Sequence, residues 1–479
     1  MESPVIVPVS TPKRRLTRLR GGLTALSLAA GLAAPLAAQA CNIPVPNLLR
    51  DTEIEEILRE YADPVYLAAG LKPEQVCIGF VGDKTLNAGA MAGQQMFFNT
   101  GLIQETENPN QLIGVIAHET GHIAAGHTVR SGEMNSAGMR PFLLSMGLGL
   151  LAIAAGAPDA GAALMASSQQ FGMLGALGYS REQEGRADQA AATYLARADI
   201  SAAGLVQFFD NFRYNEVFSE SRRFPFFQSH PISSERIELL RRRVEDQPAF
   251  SKADSPELMA KHALMKAKID AFMNPPMQTF IKYKEDDPSF TARYARAIAQ
   301  YKAGHTELAL KAIDALIAEQ PDNPYLYELK GQVLFESGRA AESEAPLERA
   351  VELKPEAALL RVLLAQSQLA AEDRTKVDEA VAHLKKALTL ESDNTFAWKL
   401  MAQAHDAKGE AGQARLATAE EYFAIGDGAQ AKVFAMRARE LLTRNSPEWR
   451  RATDIVLVSK PTPDDLRALA REGGSGPLS

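Results

Sequence analysis

Apolar positions along the chain follow three rhythms. Leu112, Ile113, Val115, Ile116 and Ala117 precede a polar island, and Ile123, Ala124 and Ala125 follow it, a near-continuous run that predicts a buried helix. Further on, 141–157 and 160–177 are two Ala- and Gly-rich apolar stretches around a turn at Gly156-Ala157-Pro158-Asp159. Asp159 is the one charge between Arg140 and Arg181, so the pair predicts a helical hairpin, each arm short of the ~20 apolar residues of a membrane span. Four roles are open to it: completion of the core, a lid over a site, contact with a membrane surface or, less favoured by length, a double crossing of the membrane. After Asn274-Pro275-Pro276 a third rhythm begins, in which Gly304 and Gly338, and likewise Pro321 and Pro355, are 34 residues apart.

That period is the one of the tetratricopeptide repeat, two antiparallel helices meeting at a small residue with a proline ending the second. Units are predicted from Phe290 to Pro321 and from Pro324 to Pro355, with a third from Ala357 to Glu391 stretched by Glu372-Asp373-Arg374-Thr375. A fourth opens at Asn394 and turns at Gly409, and a further pair around Gly426 closes near Val456. Residues 276–288 read as a linker and 458–479 as a disordered tail. Stacked helix pairs leave a concave surface, which predicts a protein partner on the repeat domain.

The first forty residues read as an export signal: Lys13, Arg14, Arg15, Arg18 and Arg20 precede an apolar run from Gly22 to Ala37, and Ala38-Gln39-Ala40 fits a cleavage site. The expected location is periplasmic, with peripheral membrane contact as an added option. Without residues 1–40, which hold five basic side chains and Glu2, the formal charge goes from −7 to −11. Such an acidic surface excludes nucleic acid as a partner. Cys41 then becomes the first residue, either carrying lipid or paired with Cys77, the other cysteine of the chain.

The polar island in the buried helix is His118-Glu119-Thr120-Gly121-His122. At 100° per residue both imidazoles lie on one face a turn apart, so they can bind one metal with Glu119 beside it. Burial makes that arrangement costly unless the groups are paired or bind metal. Catalytic zinc takes three protein ligands and keeps one open position. Glu184 and Asp188, four apart on one helical face, offer the third ligand and a hydrogen-bond partner for a liganding histidine, in either order. His127, nine steps from His118, rotates to the far side of a continued helix and reads as structural, bonded to a backbone carbonyl. His230, before Pro231 and a helix capped near Ser233 or Ser234, sits on a loop that can swing over the metal. There it either donates to an oxyanion or closes the site as a fourth ligand.

Taken in order, His118-Glu119-Thr120-Gly121-His122, Ser180-Arg181 through Glu184 and Asp188, and Ser229-His230-Pro231 through Arg236 resemble the zinc metallopeptidase family of the CAAX prenyl, HtpX-type and BepA-type proteases. Leu86-Asn87-Ala88-Gly89-Ala90 and Met96-Phe97-Phe98-Asn99-Thr100-Gly101-Leu102 resemble its substrate-binding edge strand and the strand before the zinc helix, with Gly89 where an aromatic is usual. The resemblance covers roughly residues 45–275. It implies a mainly α fold with a small β-sheet, a zincin-like (gluzincin) domain over 41–275 followed by an α-solenoid over 289–457. It further implies one zinc per chain held by His118, His122 and Glu184, with Glu119 as general base and His230 and Asp188 in support. Misfolded or unassembled envelope proteins are the implied substrates. A chaperone or assembly factor with a latent zinc site is the alternative.

Overall fold

The computed structural model describes residues 43–128, 131–154, 157–213, 226, 230–371 and 374–473. The expected export signal, Cys41 and the last six residues lie outside the described residues. Cys77 is disulfide-bonded.

Short strands and a long helix open the described chain: β1 (Leu48–Leu49), α1 (Thr52–Ala68), β2 (Cys77–Val81), β3 (Ala88–Met91) and β4 (Gln95–Asn99). The sheet order is β1-β2-β4-β3, with β2 and β4 parallel and the outer pairs antiparallel. β2, buried at every position, is an inner strand, whereas β3 lies at an edge. Gly89 on β3 stands opposite Phe97, whose ring would come within 3.0–3.2 Å of any added Cβ. The aromatic expected on the edge strand is thus supplied by its neighbour.

β4 runs into α2 (Thr100–Glu105) and then α3 (Pro109–Ala124). The side chain of Asn108 accepts the Gln111 N–H at 3.0 Å and Pro109 takes the first helical position, which together fix where α3 begins. Every residue from Pro109 to Ile123 is buried. Gly126, at φ +68°, ends the helix. Beyond it lie α4 (Ser131–Ala154) and α5 (Pro158–Arg197). α5 is one 40-residue rod that holds both the second arm of the expected hairpin and Glu184 with Asp188. No proline falls between Pro158 and Pro225, so nothing in the sequence interrupts its hydrogen-bond ladder.

α6 (Ala203–Phe212), α7 (Ser234–Val244) and α8 (Pro256–Met273) complete the first body. Ser233 caps α7, accepting the Arg236 N–H at 3.1 Å. α8 serves two cores at once, with Met265 and Ile269 in that of the first body and Ala267 and Ala271 in that of the first repeat. The expected linker is itself partly helical, as α9 (Pro276–Lys282). Five helix pairs follow: α10 (Phe290–Lys302) with α11 (Thr306–Glu319), α12 (Pro324–Glu336) with α13 (Ala340–Leu353), α14 (Ala358–Ala370) with α15 (Val377–Leu390), α16 (Thr395–Ala407) with α17 (Ala411–Ile425), and α18 (Gly428–Leu441) with α19 (Pro447–Val458). Gly304, Gly338 and Gly409 turn their pairs at φ between +73° and +81°, a conformation cheap only for glycine, which is why they recur in step. The expected disordered tail contains α20 (Pro463–Gly473), tied back by Asp465 to Lys432 at 2.8 Å.

The repeats close around the start of α1. Lys268, 4% exposed, bonds Asp51 at 2.8 Å and Glu53 at 3.1 Å, while Tyr294 donates to Glu53 at 2.9 Å and Thr52 to Glu328 at 2.8 Å. Beside this seam a cavity of about 710 Å³ is lined by Phe272, Phe335, Leu359, Leu363 and Phe396.

Candidate metal centre

Two helices meet where α3 has no side chain to hold them apart. A Cβ on Gly121 would lie 2.9–3.0 Å from the backbone of Ala187, so the glycine of the five-residue motif is what lets α5 come this close. The approach brings Glu184, 3% exposed, against the histidines of α3. His230 arrives from the segment before α7. Its N–H donates to the Phe226 carbonyl at 2.8 Å, and the Phe226 N–H donates to the Leu86 carbonyl at 3.1 Å, which ties this segment to the entrance of the β3 edge.

His118, His122, Glu184 and His230 are all buried and each offers a ligand atom, the four lying within 4.8 Å of one another. Nε2 of His118 is 3.2 Å from Nε2 of His122 and 3.3 Å from Nδ1 of His230, and His230 Nδ1 is 3.1 Å from both Glu184 oxygens. Three imidazoles and a carboxylate converging in a buried place form the nitrogen and oxygen set that zinc prefers. Burial works against charge on His118, yet the hydrogen bonds it donates to Asp188 and Glu184 outweigh it and hold its pKa up at about 10. Burial and the charge of His118 push His122 down to about 2. For Glu184, bonds from His118 and His230 overcome burial and keep it well below the usual carboxylate range. A divalent cation bound here takes the histidines as neutral ligands, so its binding displaces protons from the cluster.

Glu119 is 0% exposed, and neither of its carboxylate oxygens has a hydrogen-bond partner among the described residues. The nearest ionisable group is His230, with Nε2 at 3.5 Å. A fully buried carboxylate left this way is costly unless a ligand completes it.

Outer contacts fix the rings. Asp188 accepts from Nδ1 of His118 at 3.0 Å, and Arg236 grips Asp188 through Nε at 2.8 Å and Nη2 at 2.9 Å. Arg236 also stacks over Phe209, whose edge meets His118. His127 departs from expectation. It stays out of the donor cluster, but its Nδ1 lies 3.0 Å from Nδ1 of His122, so its side chain bears on the outer nitrogen of a liganding ring. Helical rotation did not apply because α3 ends before it, and the chain folds back at Gly126. The role of Arg236 was not read from the sequence either. Its signal was the buried acid pair Glu184 and Asp188, which needs a cation somewhere.

Residues 48–244 match the model of peptidase family M48, and residues 294–358 match that of the tetratricopeptide repeat. The putative beta-barrel assembly-enhancing protease of Vibrio cholerae is 26% identical over 59% of this chain and 58% of its own length. The beta-barrel assembly-enhancing protease of Escherichia coli K12 is 24% identical over 72% of this chain and 70% of its own. Metalloprotease LoiP of the same organism is 33% identical over 34% of this chain and 60% of that protein. Glu184, His118, His122 and their supports thus fall inside a stretch that carries the family's pattern, and residues 48–244 are a zinc metalloendopeptidase domain of peptidase family M48, followed by tetratricopeptide repeats.

Proposed function

We propose that the protein is an exported zinc endopeptidase of envelope protein quality control, in which His118, His122 and Glu184 hold the metal and Glu119 is the general base. The observation that carries this reading is the buried Glu119 carboxylate, without a hydrogen-bond partner among the described residues and 3.5 Å from His230 of the donor cluster. When bound, zinc lowers the pKa of a water toward ~7 and polarises the carbonyl under attack. Glu119 accepts the proton that water gives up and delivers it to the nitrogen of the leaving amine. Asp188, held by Arg236, keeps the outer nitrogen of His118 protonated so that Nε2 faces the metal. The edge of β3, unpaired by another strand among the described residues, offers backbone groups to an extended substrate, with affinity from main-chain bonds and choice from side-chain pockets.

By likeness to relatives named beta-barrel assembly-enhancing proteases, the substrates are unassembled outer-membrane proteins, held on the concave face of the repeats. His230 favours a second state of the same enzyme, since it sits among the donors where water must enter. In that state the site is latent and the repeats act as a holding surface.

Digestion of an unfolded model protein by Glu119→Gln tests the reading. We expect a fall of about 10²–10⁴-fold with zinc still bound, and an unchanged rate overturns it. His230→Ala separates the two roles of that ring: a rise in rate means that it closes the site, a fall that it supports the oxyanion, and no change removes it from the mechanism.

A further inference from the structure

The hairpin of α4 and α5 is built inside out. Its helix interface is made of small and hydroxyl side chains: Ser145 is buried and donates to the Leu164 carbonyl at 2.8 Å, and Gly149 faces Gly161 so closely that a Cβ on Gly161 would lie 2.5 Å from the Gly149 carbonyl oxygen. The large side chains point away. Leu143, Leu144, Leu148, Leu150 and Leu151 are 48–67% exposed, while Ile153 turns toward Gly161. At 100° per residue the five leucines cover an arc of roughly 160° around α4. Among the described elements α4 makes substantial contact only with α5.

In water, folding buries the leucines and exposes the serines, since apolar burial drives it. In lipid there is no such drive, and helices approach through small residues with hydroxyls bonded across them. The two arms differ, however: the outward face of α5 carries Ala162, Ala163, Ala166, Gln169 and Gln170, all exposed, before Phe171, Met173 and Leu174 expose large apolar side chains further along it. Among the described residues no helix is long and apolar enough to cross a membrane.

We propose that the hairpin embeds in one leaflet of a lipid bilayer, lying along its surface with the leucine face of α4 among the acyl chains and Asp159, Gln169 and Gln170 at the headgroups. Basic side chains are missing from its polar face, as Asp159 is the one charge between Arg140 and Arg181. Binding is therefore apolar rather than electrostatic, and indifferent to salt and to lipid charge.

Flotation of the full chain with phosphatidylcholine vesicles and with phosphatidylglycerol vesicles tests this. Equal partition into both at low and high salt is expected. A triple variant, Leu143→Lys, Leu150→Lys and Leu151→Lys, changes exposed positions only and is expected to lose at least about 100-fold in partition while cleaving a soluble peptide as before. In a second measurement Leu151→Trp adds a third tryptophan to Trp398 and Trp449, and brominated acyl chains are expected to quench it. Three results overturn the proposal: a chain that stays in the aqueous phase, flotation that the triple variant retains, or binding restricted to anionic vesicles and lost in salt. Dimerisation that the triple variant abolishes, with no flotation, assigns the face to a second copy instead.

Discussion

The metal centre and the seam where the repeats close on α1 both bury charge, and the two are finished differently. At the seam Lys268 meets Asp51 and Glu53, Tyr294 and Thr52 supply further bonds, and only Oε2 of Glu328 is left over. The seam is complete with what the chain provides. At the metal centre, four donors crowd within 4.8 Å of one another and neither oxygen of Glu119 has a hydrogen-bond partner among the described residues. A buried cluster that the chain satisfies holds a structure together, whereas one that it leaves short is set up to receive something else.

The largest effect that would break this contrast is at the seam. Lys268→Met leaves the buried Glu53 and the half-buried Asp51 without their cation and is expected to cost about 3–5 kcal/mol. Chemical unfolding should register that loss with zinc content unchanged, and an undiminished midpoint would mean that the seam is not a structural pair. A smaller effect is expected from Asp188→Asn, which spoils the hold on His118 and the grip of Arg236 together. Zinc affinity should fall about 10–100-fold in competition with a chromophoric chelator. The same titration on Glu119→Gln should show no weakening, because that carboxylate is read as a base rather than a ligand.

The smallest effect is a slope. Burial, with like charge from Asp51 and Glu53, pushes the carboxyl of Glu328 up from 4.5 to about 7 despite Lys268 nearby. Between those values the folded chain keeps a proton that the unfolded chain has released, so the stability from this group is full below pH 4.5 and drains away as the pH rises through about 7. Glu328→Gln should flatten that fall in a series of unfolding curves, and an unaltered slope would place the titration elsewhere.

Much of the centre was legible in the chain because its spacing rules are local. Two histidines a turn apart, two carboxylates a turn apart and a serine cap three residues beyond His230 are all set by helix geometry. His127 was misread because the helical angle was carried past a glycine that ends the helix. The seam was not legible at all, since Glu53, Lys268 and Glu328 stand on three helices and each resembles an ordinary solvated charge until the helices meet. The hairpin was visible as a pattern, but whether its leucines faced in or out required the packing of Ser145 and Gly149.

α5 carries the hairpin on one half and Glu184 with Asp188 on the other, without a joint between them. Chain length in that rod is therefore phased. One residue inserted between Leu174 and Glu182 swings the hairpin by about 100° and lifts it by about 1.5 Å relative to the metal, whereas seven return it to within about 20° of its bearing. Insertions and deletions here should be tolerated in steps of seven and rejected singly, a rule that a short series of length variants, scored for vesicle binding against cleavage, would read directly.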